Sequence, residues 1–175
     1  IGDKKLFTLL ENSTNLSNLN EINNDILLEY INRSVQAKAK IVEQDEKESG
    51  IRATLNYGHT FGHVIETLCG YGTLLHGEAV AIGMIVIGEL SILEGLWDIH
   101  SASRQKNIIV KAGLPTKWPT LEEDEVIRTL KADKKVKDGN IRLIVPTGIG
   151  SIKITDEINY DKIKYLLHQI NSNSD

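Results

Sequence analysis

Residues 77–95 read Gly-Glu-Ala-Val-Ala-Ile-Gly-Met-Ile-Val-Ile-Gly-Glu-Leu-Ser-Ile-Leu-Glu-Gly, a segment that is apolar on nearly every face of a helix. A helix without a polar face has to be surrounded by protein. The chain is therefore expected to pack its other elements around this one, as a multihelical bundle. The longest uninterrupted apolar run inside it, Ala79 to Ile87, is about half the ~20 residues a membrane-spanning helix needs. It predicts a core helix and no membrane partner. With 175 residues the chain has the size of one domain, able to bury close to 70% of its unfolded surface.

The elements available to surround that helix are mostly helical themselves. The prolines, at 115, 119 and 146, all lie in the second half, and before them helical period prevails over β-alternation. A short amphipathic piece around Leu6 to Leu10 ends in the Asn-Ser-Thr-Asn cluster 12–15, which favours a turn. Ser17 or Asn18 can cap a long helix to about Glu46, with an apolar stripe at Leu28, Ile31, Val35 and Val42. A charged turn over 45–50 leads to a second helix from about Arg52 to Leu68, which Gly70 can end in a left-handed cap. Further on, Ser101 can cap a helix to about Ala112, and Thr120 with Glu123 forms a capping box before a helix through about Ala132. Asp138-Gly139-Asn140 reads as a turn, Ile141 to Val145 as a strand, Gly148-Ile149-Gly150 as a second turn and Ser151 to Ile154 as a second strand. An amphipathic helix with Ile163, Leu166, Leu167 and Ile170 ends the chain. The fold class is mainly α, one domain over residues 1–175, with a short two-stranded β element near residues 141–154.

A net charge of −4 with intermixed signs offers no basic stripe for phosphodiesters, so a nucleic-acid partner is not expected. Cys69 is the single cysteine; an internal disulfide and a thiolate-rich zinc site are excluded, which fits a reducing, cytoplasmic setting. The chain opens Ile1-Gly2-Asp3 and its only methionine is Met84. It reads as a piece of a longer soluble protein, with no targeting segment in view.

The chemistry concentrates in Asn56-Tyr57-Gly58-His59-Thr60-Phe61-Gly62-His63-Val64-Ile65-Glu66. On one continuous helix, residues 56, 59, 63 and 66 share a face. His59 and His63 at i, i+4 can converge on one ion, but Thr60 stands where a zinc protease carries its glutamate base, so a protease is not indicated. His76, at the entry of the apolar helix, can fold back beside His59. That constellation predicts a metal site still short of a carboxylate ligand, since a catalytic ion normally takes three protein ligands and keeps a position open. Gly58 and Gly62 each cost about 1 kcal/mol against alanine in a helix, so something is expected to approach that backbone closely. Lys38 falls on the apolar stripe of the long helix: either its stem lies along the core edge with the ammonium in water, or it is aimed into a polar site.

Residues 55–66, followed by Leu75-His76-Gly77-Glu78-Ala79-Val80-Ala81-Ile82-Gly83-Met84, resemble the central signature of the 3-dehydroquinate synthases, within the sugar phosphate cyclase group. The likeness continues at Lys38-Ala39-Lys40-Ile41-Val42, at residues 45–52, at Ala112-Gly113-Leu114-Pro115, at Asp133-Lys134-Lys135 and at Arg142-Leu143-Ile144-Val145-Pro146, and so covers essentially the whole chain. The resemblance implies the helical C-terminal half of such an enzyme, the N-terminal Rossmann-like domain that binds NAD being absent from this chain. It makes His59 and His76 ligands of one divalent metal, zinc or cobalt. The third ligand, a glutamate of a Gly-x-x-Glu-x-x-Lys motif, would precede Ile1. His63 would contact the substrate phosphate and assist proton transfer, and Glu48 would accept a proton. Lys38, Arg52, Asn56 and Lys134 or Lys135 would hold the substrate.

The implied activity is a phosphate-eliminating carbon–oxygen lyase. It converts 3-deoxy-D-arabino-heptulosonate 7-phosphate to 3-dehydroquinate and phosphate in the shikimate pathway of aromatic amino acid biosynthesis, using NAD transiently. The partners implied are this anionic sugar phosphate, the N-terminal half of the same enzyme and, for the full-length protein, a second copy in a homodimer. The isolated chain is expected to be inactive. Two other readings are another sugar phosphate cyclase, such as a 2-deoxy-scyllo-inosose synthase, and a catalytically dead helical binding module.

Overall fold

The computed structural model describes residues 2–47, 50–70, 72–132, 136–137 and 140–172. In chain order these form α1 (Lys4–Asn12), a 3₁₀ turn (Leu19–Glu21), α2 (Asn24–Gln44), a second 3₁₀ segment (Ile51–Asn56), α3 (His59–Cys69), α4 (His76–Leu93), α5 (Ile99–Lys111) and α6 (Glu123–Ala132). Then come β1 (Val136–Lys137), β2 (Asn140–Ile141), β3 (Leu143–Gly148), β4 (Ser151–Thr155) and α7 (Tyr160–Ser172). The predicted mainly helical class holds, and so does the two-stranded element: β3 and β4 pair antiparallel, Leu143 opposite Thr155. Ile141 belongs to a separate small ladder, β1 with β2.

The all-apolar segment is the centre, as its sequence requires. By length and composition α4 could cross a membrane, yet 61% of it is buried inside this fold, against α3, α5, α7 and β3. Phe61 and Ile65 of α3, Leu90 of α4, Leu130 of α6, Leu143 of β3 and Ile163 of α7 are all fully buried around it.

The closest packing in this core is backbone on backbone. A Cβ placed on Gly83 would lie 2.0 Å from the Gly58 carbonyl oxygen and 2.9 Å from the Gly62 nitrogen, and one on Gly62 would lie 3.2 Å from Val80 Cα. The glycines of α3 and α4 thus let the two helices touch along their main chains, the close approach expected at Gly58 and Gly62. Gly58 also takes φ of 82°, where a Cβ would meet the Val80 carbonyl at 2.7 Å. A left-handed residue cannot continue a helix. The single helix expected over 52–68 is therefore two pieces, the 3₁₀ segment Ile51–Asn56 and α3, with Gly58 between them. Gly70 does end α3, but at φ 88° and ψ 138°, which is not the left-handed helical conformation of the expected cap.

Other boundaries moved for local reasons. Asn18 caps only the short 3₁₀ turn, and α2 starts later, where the Asn23 side chain accepts from the Asp25 amide. Ser17 instead donates its hydroxyl to Asn15 Oδ1. The cap of α5 is Asp98, whose carboxylate accepts from the Ser101 amide at 2.8 Å; Ser101 lies inside the helix. α6 opens on the Glu122 carbonyl, which accepts from the Glu125 and Val126 amides, so Thr120 stands ahead of the helix rather than at its cap. The stripe of α2 is the larger correction. Leu28, Ile31 and Val35 are 55%, 52% and 61% exposed, because α2 buries Tyr30 instead.

α1 is fastened to α5 electrostatically. Arg104 donates from Nε and Nη2 to the two carboxylate oxygens of Glu11, each at 2.7 Å, and its guanidinium lies 5.3 Å from the centre of the Phe7 ring.

Two outcomes follow. Gly83→Ala is expected to destabilise the chain by about 3 kcal/mol, the upper range for overpacking against atoms that cannot move aside. Gly77→Ala, with nothing within 4 Å of the new methyl, should be neutral or slightly stabilising; urea unfolding of both variants checks this. The Arg104 guanidinium holds the Glu11 carboxyl below its ordinary 4.5, so the pair stabilises fully above that value and progressively less as pH falls through the lowered one. The difference in urea midpoint between wild type and Glu11→Gln should be constant above about pH 5 and shrink below pH 4.5.

Candidate metal and substrate site

The site begins at the corner where Gly58 stops one helical segment and starts the next. Tyr57 is 4% exposed, and its hydroxyl donates to Gln105 Oε1 at 2.8 Å, while Gln105 Nε2 donates to the Met84 carbonyl at 3.3 Å. Burial pushes the Tyr57 phenol well above its usual value; it is a neutral structural anchor. The corner leaves the Tyr57 carbonyl turned toward His59, with 3.3 Å between that oxygen and His59 Nδ1. A ring nitrogen that donates there leaves Nε2 as the lone-pair nitrogen.

His59, His63 and Glu66 follow on one face of α3, while the first residue of α4 is His76. Because the glycines press α3 and α4 together, His76 arrives beside the α3 histidines, as expected from the turn between them. The ring centroids lie 5.2 Å apart for His59 and His76, 5.7 Å for His59 and His63 and 6.1 Å for His63 and His76. His59 is half-buried; His63 and His76 are exposed. Glu66 Oε1 lies 3.0 Å from His76 Nδ1. One ligand atom from each of His63, Glu66 and His76 falls within 4.8 Å of the others. Imidazoles and a carboxylate converging at these distances suit a borderline divalent ion such as zinc or cobalt.

Around this cluster the sequence candidates separate. Asn56 ends the 3₁₀ segment, so it does not share a helical face with His59, contrary to the single-helix expectation; it is half-buried at the same corner. Arg52 is held from two sides: its amide donates to Asp45 Oδ2 at 2.9 Å and its Nη1 to the Glu46 carbonyl at 2.7 Å. Lys38 is exposed on α2, which packs on the 3₁₀ segment carrying Arg52 and Asn56. On the stripe Lys38 stands between Val35, which is exposed, and Val42, which is half-buried. Glu48, Lys134 and Lys135 lie outside the described residues.

Three supporting residues carried no role in the sequence reading. Asp45, only 8% exposed, accepts from the Gly50 amide at 2.7 Å as well as from that of Arg52, and so fixes both ends of the turn. An aspartate at a helix end followed five residues on by glycine is the signal that could have found it. Glu66 was visible on the right face, but its partner was not. Gln105 had no signal, since its pairing with Tyr57 spans two distant segments.

Residues 1–136 match the family model described as 3-dehydroquinate synthase C-terminal. The 3-dehydroquinate synthase of Prochlorococcus marinus is 57% identical over 170 residues, covering 97% of this chain and 46% of the relative. That of Rippkaea orientalis is 50% identical over 173 residues, covering 98% and 47%. The chain thus spans about half the length of these curated relatives. Among solved structures, 2-epi-5-epi-valiolone synthase from Streptomyces hygroscopicus with NAD+ and Zn2+ bound superposes with a TM-score of 0.85 at 25% identity, over 99% of this chain and 48% of that one. A 2-deoxy-scyllo-inosose synthase complexed with carbaglucose-6-phosphate, NAD+ and Co2+ gives 0.72 at 25% identity, over 95% and 51%. With the family model matching 1–136 of its 175 residues, and with histidines brought together from two helices that its glycines press into contact, the chain belongs to the 3-dehydroquinate synthase C-terminal family.

Proposed function

We propose that this chain is the metal- and substrate-binding half of a 3-dehydroquinate synthase. In that role it converts 3-deoxy-D-arabino-heptulosonate 7-phosphate to 3-dehydroquinate and phosphate together with an NAD-binding half, in the cytoplasm, as a homodimer. The observation that carries the proposal is the convergence of His59, His63 and His76 within 5.2 to 6.1 Å of one another, ring centre to ring centre, in a chain 57% identical to a relative of that name. The higher identity to synthases of that name than to the inosose and valiolone cyclases favours this substrate over theirs. A second half is supported by the relatives' length and by the apolar stripe of α2, since three large apolar side chains more than half exposed at helical spacing suit a further packed element.

His59 and His76 would hold the ion, with the glutamate of the Gly-x-x-Glu-x-x-Lys motif, outside this chain, as the third ligand. A bound divalent ion would polarise the hydroxyl to be oxidised and lower its pKa. His63, exposed on α3, would contact the phosphate and assist proton transfer. Arg52 is suited to a bidentate grip on the carboxylate or phosphate, because the turn already fixes its backbone. Lys38 and one of Lys134 and Lys135 would add point charges, Asn56 a neutral donor and acceptor for a hydroxyl, and Glu48 a proton acceptor. Cations from separate segments around one anion orient it, and orientation is most of what the reaction asks of this half.

Two measurements test the proposal. Full-length protein is expected to release phosphate from the heptulosonate phosphate and not from glucose 6-phosphate. The 175-residue chain alone should release none with NAD and metal present. Turnover of glucose 6-phosphate only, or turnover by the chain alone, would overturn the assignment. Metal analysis should find about one ion per chain in the full-length protein and a substoichiometric amount in the chain alone, where one of three ligands is missing. Tight one-to-one binding by the chain alone would show the outside glutamate to be dispensable.

A further inference from the structure

We infer that Glu66 is a positioning residue for the metal centre, setting the tautomer and orientation of His76 so that its Nε2 faces the ion. This rests on the reading above that His76 is a metal ligand.

The two histidines assigned to the ion are held in the same way by different means. His59 has the Tyr57 carbonyl at 3.3 Å from Nδ1, and His76 has Glu66 Oε1 at 3.0 Å from Nδ1. In each case an oxygen acceptor occupies the Nδ1 side, so the proton sits there and the lone pair is on Nε2. For His59 the acceptor comes from the main chain, at the corner that Gly58 makes. For His76, likewise the first residue of its helix, the acceptor is a side chain. Glu66 is placed for it, one helical turn past His63 on α3, with its carboxylate only 17% exposed.

The difference in burial gives this contact its weight. His76 is 56% exposed, so packing restrains its ring only on the side of the other histidines, and without a partner it samples several rotamers and both tautomers. Glu66 removes both freedoms at once. Outer-shell partners of this kind typically contribute 10- to 100-fold in metal affinity. The same carboxylate also lies within 4.8 Å of ligand atoms on both His63 and His76, so a direct metal ligand is the competing role, and the two roles respond differently to glutamine. A glutamine carbonyl still accepts from Nδ1, but it is a poor substitute for a carboxylate in the first coordination sphere.

The experiment uses Glu66→Gln and Glu66→Ala. Alanine is a good helix former, and far-UV circular dichroism confirms that α3 is retained. Long-range ¹H–¹⁵N NMR of the imidazoles at about pH 8, above the ordinary histidine value, reads the His76 tautomer in the metal-free 175-residue chain. Wild type and Glu66→Gln should show the Nδ1–H form, and Glu66→Ala a mixture. In the full-length protein, competition with a chromophoric chelator should show Co2+ affinity within about threefold of wild type for Glu66→Gln and about 10- to 100-fold weaker for Glu66→Ala. An unchanged His76 tautomer in Glu66→Ala overturns the inference. So does a Glu66→Gln loss as large as that of Glu66→Ala, which would make Glu66 a ligand. The tautomer measurement needs neither metal nor substrate, so its result stands apart from whether the enzyme assignment above survives.

Discussion

Everything at the candidate site depends on the main-chain contact between α3 and α4. Gly83 lies so close to the Gly58 carbonyl and the Gly62 nitrogen that no side chain fits between them. This contact does two jobs. It fills the centre of the core at high density, with Phe61, Ile65 and Leu90 closing round it. It also fixes where the start of α4 stands relative to the polar face of α3, and therefore where His76 stands relative to His59 and His63. Stability and chemistry are served by the same few atoms.

The parts of this arrangement that local sequence could specify were legible in it. An all-apolar helix can only be central, and α4 is. Two histidines at i, i+4 with a third at a helix start do meet. Glycines inside a helical pattern, each unfavourable there, pointed to close backbone approach. What escaped was set by contacts between segments distant in sequence. Gly58 was read as a helical residue, but the Val80 carbonyl and the Met84 side chain pack against it from α4, and the chain turns through a left-handed conformation there. That turn separates Asn56 from the histidine face. Likewise the Leu28, Ile31 and Val35 stripe has the pattern of a buried face, and pattern alone does not say against which body it is buried.

The polar supports were legible unequally, for reasons of range. Capping groups act over two or three residues, and the misplaced caps stayed close by, three residues off where Asp98 replaces Ser101 and five where Asn23 replaces Asn18. Asp45 reaches five and seven residues ahead to Gly50 and Arg52, which is at the limit of what a local motif can signal. Gln105 reaches back 48 residues to Tyr57, and no local pattern encodes that.

The glycine contact also bears on how such a chain tolerates change over generations. The spacing of its histidines is measured out by main-chain atoms, which every residue possesses, and not by the size of any core side chain. Leucine, isoleucine and valine positions around α4 can therefore drift and repack while the gap between the two histidine-bearing helices stays the same. A change of side chain is thereby less costly to this spacing in the surrounding core than at Gly58 and Gly83, where any Cβ would run into a main-chain oxygen.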